Sequence, residues 1–256
     1  TEIYTLSYTT LFRSVKLKAA MATGRLHSVE TFGALDGPGI RTVFFMQGCP
    51  ARCMYCHNPD TWEEEAGEQV TVGEVISRAR RGRPYYGENG GVTFSGGEPL
   101  LQADFLIEAM DALRKDGINS AIDTSGTYFD EKSEEVISHC DMVLLDIKHI
   151  DPSRFKELTG REQGTLSLLI DAVNRQEKPV WIRQVIVPGF NDDEEYIREL
   201  NKFLKRIKYI RKIELLGYHN MAEPKYDKLG IKYRLKGVKP MDSDSLKKLS
   251  DLTEIE

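Results

Sequence analysis

The chain has 256 residues, 40% of them hydrophobic, which is enough to bury the core of one large domain. Its formal net charge of −5 gives no overall basic field to hold nucleic acid or an anionic membrane, so neither partner is expected. Four cysteines, three of them within eight residues, are too few and too clustered for a disulfide framework, and no apolar run approaches a membrane span or a secretory leader, so a reducing cytoplasm is the expected setting.

Thr1 to Ala20 is rich in Thr, Ser and Tyr and shows no periodic apolar face. Its run Tyr8-Thr9-Thr10-Leu11-Phe12-Arg13-Ser14 reads like a translated adapter oligonucleotide. Residues 1–20 are therefore expected to be an artefactual or disordered tail, Met21 the natural start, and residues 21–256 a single domain. The chain stops soon after Leu252, and truncation at that end is expected.

From Gly24 onward, short β-rich runs alternate with amphipathic stretches. In chain order the strands are expected over Arg41 to Met46, Val92 to Ser95, Ser120 to Asp123, Met142 to Ile147, Val180 to Val187 and Lys212 to Leu216. Between them, helices are expected over Val72 to Arg81, Ala103 to Lys115, Glu131 to His139, Leu166 to Arg175 and Asp193 to Lys208, the last capped by Asp192. The basic stretch Lys202 to Lys212, interleaved with Phe203, Leu204, Ile207 and Ile210, reads as a solvated helix face. Strand–helix alternation at this spacing predicts an α/β fold with a parallel sheet, either an open barrel or a doubly wound sheet.

The polar residues cluster at one end of those strands. Ser95-Gly96-Gly97-Glu98, Asp123-Thr124, Asp146-Ile147-Lys148 and Tyr218-His219 each sit just beyond a strand's C-terminal end. In parallel α/β folds that rim is where active sites are assembled.

The loop leaving the first of these strands, Gly48-Cys49-Pro50-Ala51-Arg52-Cys53-Met54-Tyr55-Cys56-His57-Asn58, offers three thiols at C-x3-C-x2-C spacing. Four chemistries compete for it. Cys53 to His57 matches a c-type haem attachment site, which belongs with export. Three cysteines with His57 suit a structural zinc, and a thioredoxin-like pair leaves Cys49 without a role. The fourth reading is a 4Fe-4S cluster held by three cysteines, with one iron open to bind a second ligand. Cys140 stands between a helix and an apolar strand, where a buried core thiol is the ordinary explanation.

The C-x3-C-x2-C motif, followed at the next strand end by Gly96-Gly97-Glu98-Pro99, resembles the signature of the radical S-adenosylmethionine superfamily. The likeness extends from Gly24 to about Asp242 and narrows to the glycyl-radical-enzyme activases, nearest those acting on pyruvate formate-lyase. It is carried by Gly24-Arg25-Leu26-His27-Ser28, Asp36-Gly37-Pro38-Gly39-Ile40-Arg41, Tyr55-Cys56-His57-Asn58, Asp123-Thr124, Leu145-Asp146-Ile147-Lys148, Val180-Trp181-Ile182-Arg183 and Tyr218-His219. Gly217 departs from the family, which commonly has proline there. The resemblance implies a partial (β/α)6 barrel of parallel strands. It also implies a 4Fe-4S cluster on Cys49, Cys53 and Cys56 that cleaves S-adenosylmethionine to a 5′-deoxyadenosyl radical, which takes hydrogen from a glycine of the partner enzyme.

The same resemblance assigns residues. Gly96 and Gly97 let backbone approach the methionine amino group, Asp123 accepts from that ammonium, and Lys148 meets the carboxylate; tight turns, loop caps and surface ion pairs are the competing explanations. Tyr55, His57 and Asn58 frame the adenine, and Asp146 and His219 face the ribose. Asp123, Thr124 and Asp146 are candidates for a monovalent cation by hard-oxygen ligation. Asp36 and Arg183 are candidate contacts to the substrate peptide, against a turn-stabilising Asp and an internal ion pair. A flavodoxin- or ferredoxin-type protein is the expected electron donor.

Within that class, no cysteine lies between Cys56 and Cys140, which favours the simpler pyruvate formate-lyase type over activases with an inserted ferredoxin-like region. The remaining alternatives are another glycyl-radical activase, a small-molecule radical enzyme, and a zinc-binding interaction module.

Overall fold

The structure is a computed structural model that describes residues 22–255; the expected tail 1–20 and the start at Met21 lie outside the described residues. Six strands are parallel: β2 (Arg41–Met46), β4 (Gly91–Gly96), β5 (Asn119–Thr124), β6 (Met142–Asp146), β7 (Val180–Ile186) and β8 (Ile210–Gly217), hydrogen-bonded in that order. All six are the runs expected from sequence. The first five are largely buried, with the longest apolar runs in β2, β6 and β7, whereas β8 at the sheet edge is mostly half-exposed. Two strands not anticipated, β1 (Thr23–Gly33) and β3 (Glu68–Thr71), extend the β2 edge in antiparallel pairing.

The helices are α1 (Val72–Tyr86), α2 (Ala103–Lys115), α3 (Glu131–His139), α4 (Pro152–Thr159), α5 (Gly164–Arg175), α6 (Glu194–Leu204), α7 (Glu223–Leu229) and α8 (Ser243–Ser250). Helix α1 starts as expected, at a capping box in which Thr71 Oγ1 accepts from Glu74 N and Glu74 Oε2 accepts from Thr71 N. It runs past Arg81 because Gly82 lets the helix lie close against Thr42, and the Tyr86 hydroxyl then bonds Thr42 Oγ1 at 2.7 Å. Pro84 in its last turn cannot donate to Arg80 O, and the helix ends three residues later at Gly87.

Helix α6 differs by one residue at its start. Asp193, not Asp192, accepts from Tyr196 N, while Asp192 accepts from Gly189 N in the preceding turn. It also stops four residues short of the expected end, at Leu204, where Asn174 takes over the backbone by bonding Arg206 O and Lys208 N. The basic stretch 202–212 is therefore a helix end, a turn and a strand start rather than one helix face, although most of its charges are exposed.

Side chains alternate along each parallel strand. Outward residues such as Phe44, Phe94, Ile122, Val143 and Ile182 join the helices in the main core. Inward residues form a small apolar floor of Ala121, Met142 and Leu144 with Trp181 near the strand starts. Two residues further along, the inward positions become Ser95, Asp123, Asp146 and Arg183. A third cluster, Met54, Tyr55, Leu158, Tyr218, Tyr226, Tyr233 and Leu235 among others, packs beside the cysteine loop.

Candidate active site

One cavity of about 460 Å³ opens at the C-terminal ends of the parallel strands, and every residue given a candidate site role from sequence lines it. Cys49, Cys53, Tyr55, Cys56, His57 and Asn58 come from the loop after β2, and Gly96 and Gly97 from the end of β4. Asp123 and Thr124 end β5, Asp146 and Lys148 follow β6, Arg183 lies on β7, His219 follows β8, and Asp36 reaches in from the loop before β2.

The cysteine loop is fixed by backbone bonds to three separate parts of the chain. Arg52 N donates to Thr159 O at 2.7 Å and Met54 N to Leu158 O at 2.8 Å, both at the end of α4. Gly48 N donates to Thr61 O and Cys49 N to Trp62 O, and a single turn of 3-10 helix, Pro59–Thr61, closes that side. Glu98 N donates to Gly48 O at 2.8 Å. His27 and Lys225 hold Asp60 of the turn at 2.9 and 3.3 Å.

Burial pushes the Cys49 thiol far up, the Cys53 thiol up to about 11, and the Cys56 thiol up as well. Among the described residues, no group of three His, Cys, Asp or Glu side chains is gathered closely enough to hold a metal ion. A 4Fe-4S cluster held by three cysteines would bind each of them to a different iron, and all three line the cavity. Cys140 caps α3, packs in the main core and donates its Sγ–H to Ile137 O, away from the site.

Gly96 and Gly97 line the pocket, but what makes them glycine is backbone packing. A Cβ on Gly97 would lie 2.0 Å from Gly48 O, and Gly96 has φ +102° with Met46 N at 2.5 Å from its Cβ position. The two glycines thus clamp the end of β4 onto the root of the cysteine loop. Glu98, to which sequence reasoning gave no role, is fully buried beside them. Its carboxylate accepts from Thr124 Oγ1 at 2.7 Å and from Ser125 Oγ at 3.0 Å, and burial pushes it up to about 7.

Deeper in, charges alternate around Arg183. Its Nη2 lies 2.6 Å from Asp123, its Nε 3.3 Å from Asp146, and its Nη1 4.0 Å from Asp36. Burial opposes the Arg183 charge, but Asp123 and Asp146 raise it further. Burial also works against the Asp146 charge, yet Lys148 and Arg183 hold its carboxyl below the usual range. Lys148 sits 3.1 Å from Asp146 with only 12% of its side chain exposed, so this pair is an interior one rather than the surface pair weighed from sequence. Ser95 Oγ donates to Asp123 at 2.6 Å. Asp36 shifts the opposite way from Asp146, pushed up to about 6 by burial and by the nearby Asp123 carboxylate, against the pull of Arg183.

At the mouth, His57 and His219 stack with ring centroids 4.1 Å apart and 24° between planes. Burial and the His219 ring lower the His57 pKa. The Tyr55 hydroxyl and His219 Nδ1 are buried without a hydrogen-bond partner, the condition of groups that meet a polar ligand. Three soft thiols on one clamped loop, a buried ammonium beside carboxylates, and these two unpartnered polar atoms together fit an iron–sulfur centre with a charged, nucleoside-bearing ligand.

The comparisons agree with this chemistry. The family model described as the Radical SAM superfamily matches residues 43–220. Pyruvate formate-lyase-activating enzyme of Clostridium pasteurianum is 46% identical over 230 residues, covering 90% of this chain and 96% of that protein. The enzyme of the same name from Streptococcus mutans is 41% identical, covering 94% and 95%. A solved domain of the Bacteroides vulgatus pyruvate-formate lyase-activating enzyme superposes with a TM-score of 0.52 at 28% identity, over 64% of this chain and 92% of that one. Streptococcus suis SuiB bound to S-adenosylmethionine shares the fold, with a TM-score of 0.60 at 20% identity over 79% of this chain and 44% of that one. The chain belongs to the radical S-adenosylmethionine superfamily and, within it, to the family of the pyruvate formate-lyase-activating enzymes.

Proposed function

We propose that this protein installs a glycyl radical on pyruvate formate-lyase. The observation that carries the reading is the gathering of the cysteine loop and all the charged and aromatic strand-end residues around one cavity at the barrel rim. Relatives similar over nearly their whole length bear the activating enzyme's name. When bound, the 4Fe-4S cluster and S-adenosylmethionine supply reductive carbon–sulfur cleavage and the radical that takes hydrogen from glycine.

The chain's own residues bind and orient. Cys49, Cys53 and Cys56 hold the cluster. Lys148 meets the methionine carboxylate and Asp123 its ammonium, while Gly96 and Gly97 keep the β4 end tight against the loop. Tyr55, His57 and Asn58 border the adenine, and His219 with Asp146 the ribose. Asp36 faces the substrate peptide, and Nη1 is the edge of Arg183 left toward it, since Nε and Nη2 are taken by Asp146 and Asp123. A monovalent cation on Asp123, Thr124 and Asp146 belongs to the same proposal, with Arg183 as its competitor for the two carboxylates. A flavodoxin- or ferredoxin-type electron donor and a cytoplasmic setting complete it. In support of the setting, the cysteines are all free, and no helix among the described residues is long and apolar enough to cross a membrane.

The test is electron paramagnetic resonance of the reduced, reconstituted protein with S-adenosylmethionine and pyruvate formate-lyase, or a peptide copying its glycine loop with ²H at the glycine. A glycyl radical with deuterium appearing in 5′-deoxyadenosine is expected. Transfer only from a different glycyl radical enzyme would keep the activase class and refute this partner, and cofactor cleavage with transfer from neither would favour a small-molecule substrate.

A further inference from the structure

The chain is acidic overall, yet residues 225–239 hold six lysines and arginines against one acid, Asp227. This segment, most of α7 and the turns after it, is pinned to the cysteine loop. Lys225 reaches Asn58 Oδ1 at 3.1 Å and Asp60 Oδ1 at 3.3 Å. Arg234 Nη2 donates at 3.0 Å to Glu157 O, next to the Leu158 carbonyl that receives Met54 N. Tyr226, Tyr233 and Leu235 pack with Met54 and Tyr55, and Tyr226 meets the Trp62 ring edge-on at 5.9 Å.

Burial of alternate residues turns the charges outward. Tyr233 and Leu235 are buried, whereas Lys232, Arg234 and Lys236 are exposed, as are Lys228 and Lys239. Arg52, exposed between Cys49 and Cys53, adds a cation on the loop itself, its guanidinium 4.8 Å over the Trp62 ring and its Nη1 donating to Cys49 O at 2.7 Å. Lys228, Lys232 and Lys239 make no ion pair among the described residues, while the acids Glu157, Glu162 and Glu223 are each paired to a cation of their own, Arg154, Lys156 and Lys236. Like charges gathered on one face repel one another, and an acidic partner relieves that repulsion. None of these cations lines the cavity, so a partner seated on them leaves its mouth open to ligand and substrate while lying against the loop that carries the three thiols.

We propose that the face formed by Arg52, Lys228, Lys232, Arg234, Lys236 and Lys239 docks a small acidic electron-carrier protein and is where the electron enters the cluster. This rests on the cluster reading above and gives its electron donor a place. One electron leaves the flavin or iron–sulfur centre of the carrier and one arrives on the cluster, with no bond made or broken. Encounters of this kind are small and weak, so orientation by opposite charge, more than buried apolar area, governs their rate. Nucleic acid or an anionic membrane would also meet a basic face, but neither brings an electron, and only the carrier accounts for the face standing against the cysteine loop.

The experiment is anaerobic stopped-flow reduction of the reconstituted full chain, without S-adenosylmethionine, by reduced flavodoxin and by reduced ferredoxin. It compares the parent protein, Lys228→Glu/Lys232→Glu/Lys239→Glu, and a control, Lys202→Glu/Lys208→Glu/Arg211→Glu, that changes net charge equally around the start of β8. With one carrier or both, the first triple variant is expected to be reduced at least tenfold more slowly than the parent at low salt. The difference should vanish in about 1 M salt, where charges are screened within about 3 Å. The control should follow the parent, and photoreduced 5-deazariboflavin, which is uncharged, should reduce all three proteins alike. Titration calorimetry with the oxidised carrier should show the matching loss of affinity. If the first variant binds less iron, Lys228→Gln/Lys232→Gln/Lys239→Gln, which removes charge without reversing it, decides. An unchanged rate with both carriers overturns the proposal, as does an equal fall in the control. Loss of binding to phosphatidylglycerol vesicles or to pyruvate formate-lyase, at an unchanged rate, would give the face to that partner instead. A parent protein that takes up no iron refutes the cluster reading and this proposal with it, whereas a loaded parent matched by its variants refutes this proposal alone.

Discussion

The acids facing Arg183 differ from one another, and the difference is measurable. Asp146 is held low by two cations, whereas Asp36 is pushed up to about 6 because burial and Asp123 outweigh the distant Nη1 of Arg183. An acid whose folded pKa lies above its unfolded value of 3.8 destabilises the fold increasingly as pH rises from about 4 to 6, and fully above that. Asp36→Asn, which carries no charge to bury, should therefore raise the thermal midpoint at pH 7.5, and the gain should vanish by about pH 4. A pH-independent difference in scanning calorimetry would show that Asp36 is not strained. The cysteines divide as cleanly. Cys49→Ser, Cys53→Ser and Cys56→Ser should each abolish iron binding on anaerobic reconstitution, and Cys140→Ser should leave iron content intact. The three thiols, the Asp-Thr and Asp-Ile-Lys pairs and His219 were legible because each stands in a short motif at a strand end. Trp62 and Tyr226 were not. Their edge-on contact joins positions 62 and 226, and neither lies in a motif of its own.

At the level of elements, β2, β6 and β7 were readable as apolar runs because interior parallel strands are covered on both faces, while the edge strand β8 showed as alternation of charged and apolar residues. The missed pieces lacked that signal. β1 exposes or half-exposes most of its residues, β3 has four residues, and α4, α7 and α8 are eight residues or fewer with charge on most of their surface. The limits of α6 failed for another reason, since Asn174 on a neighbouring helix ends it and local propensity does not. Glu98 shows what an element-to-element tie contributes. It joins the end of β4 to the end of β5, and truncating it strands the Thr124 and Ser125 donors in a buried site at about 1–3 kcal/mol each. Glu98→Ala should lower unfolding stability by about 2–4 kcal/mol in denaturant melts and also weaken cluster retention, because the backbone N–H of the same residue donates to Gly48 O at the root of the cysteine loop. Glu98→Gln should lose less than half of that. Equal losses in the two variants would place the effect in charge rather than in the hydrogen bonds.

Across the whole molecule, the site is a junction. The cysteine loop bonds the last turn of α4, the turn before Trp62 and the end of β4, and α7 roofs it. A cluster bound to that loop binds the folded state preferentially, so loading iron and sulfide should raise the thermal midpoint by at least about 5 °C, and Cys49→Ser should show no such rise. No shift in the parent protein with full iron content would mean that the loop is rigid and already stable without its cluster. The same junction sets an order of events during synthesis. All three thiols have been made once Cys56 leaves the ribosome, but the amides of Arg52 and Met54 have no acceptors until Leu158 and Thr159 follow, roughly a hundred residues later. Tyr226 comes later still. A nascent chain thus carries the three thiols on an unframed loop until α4 has been made, and the loop's contact with α7 can form only later.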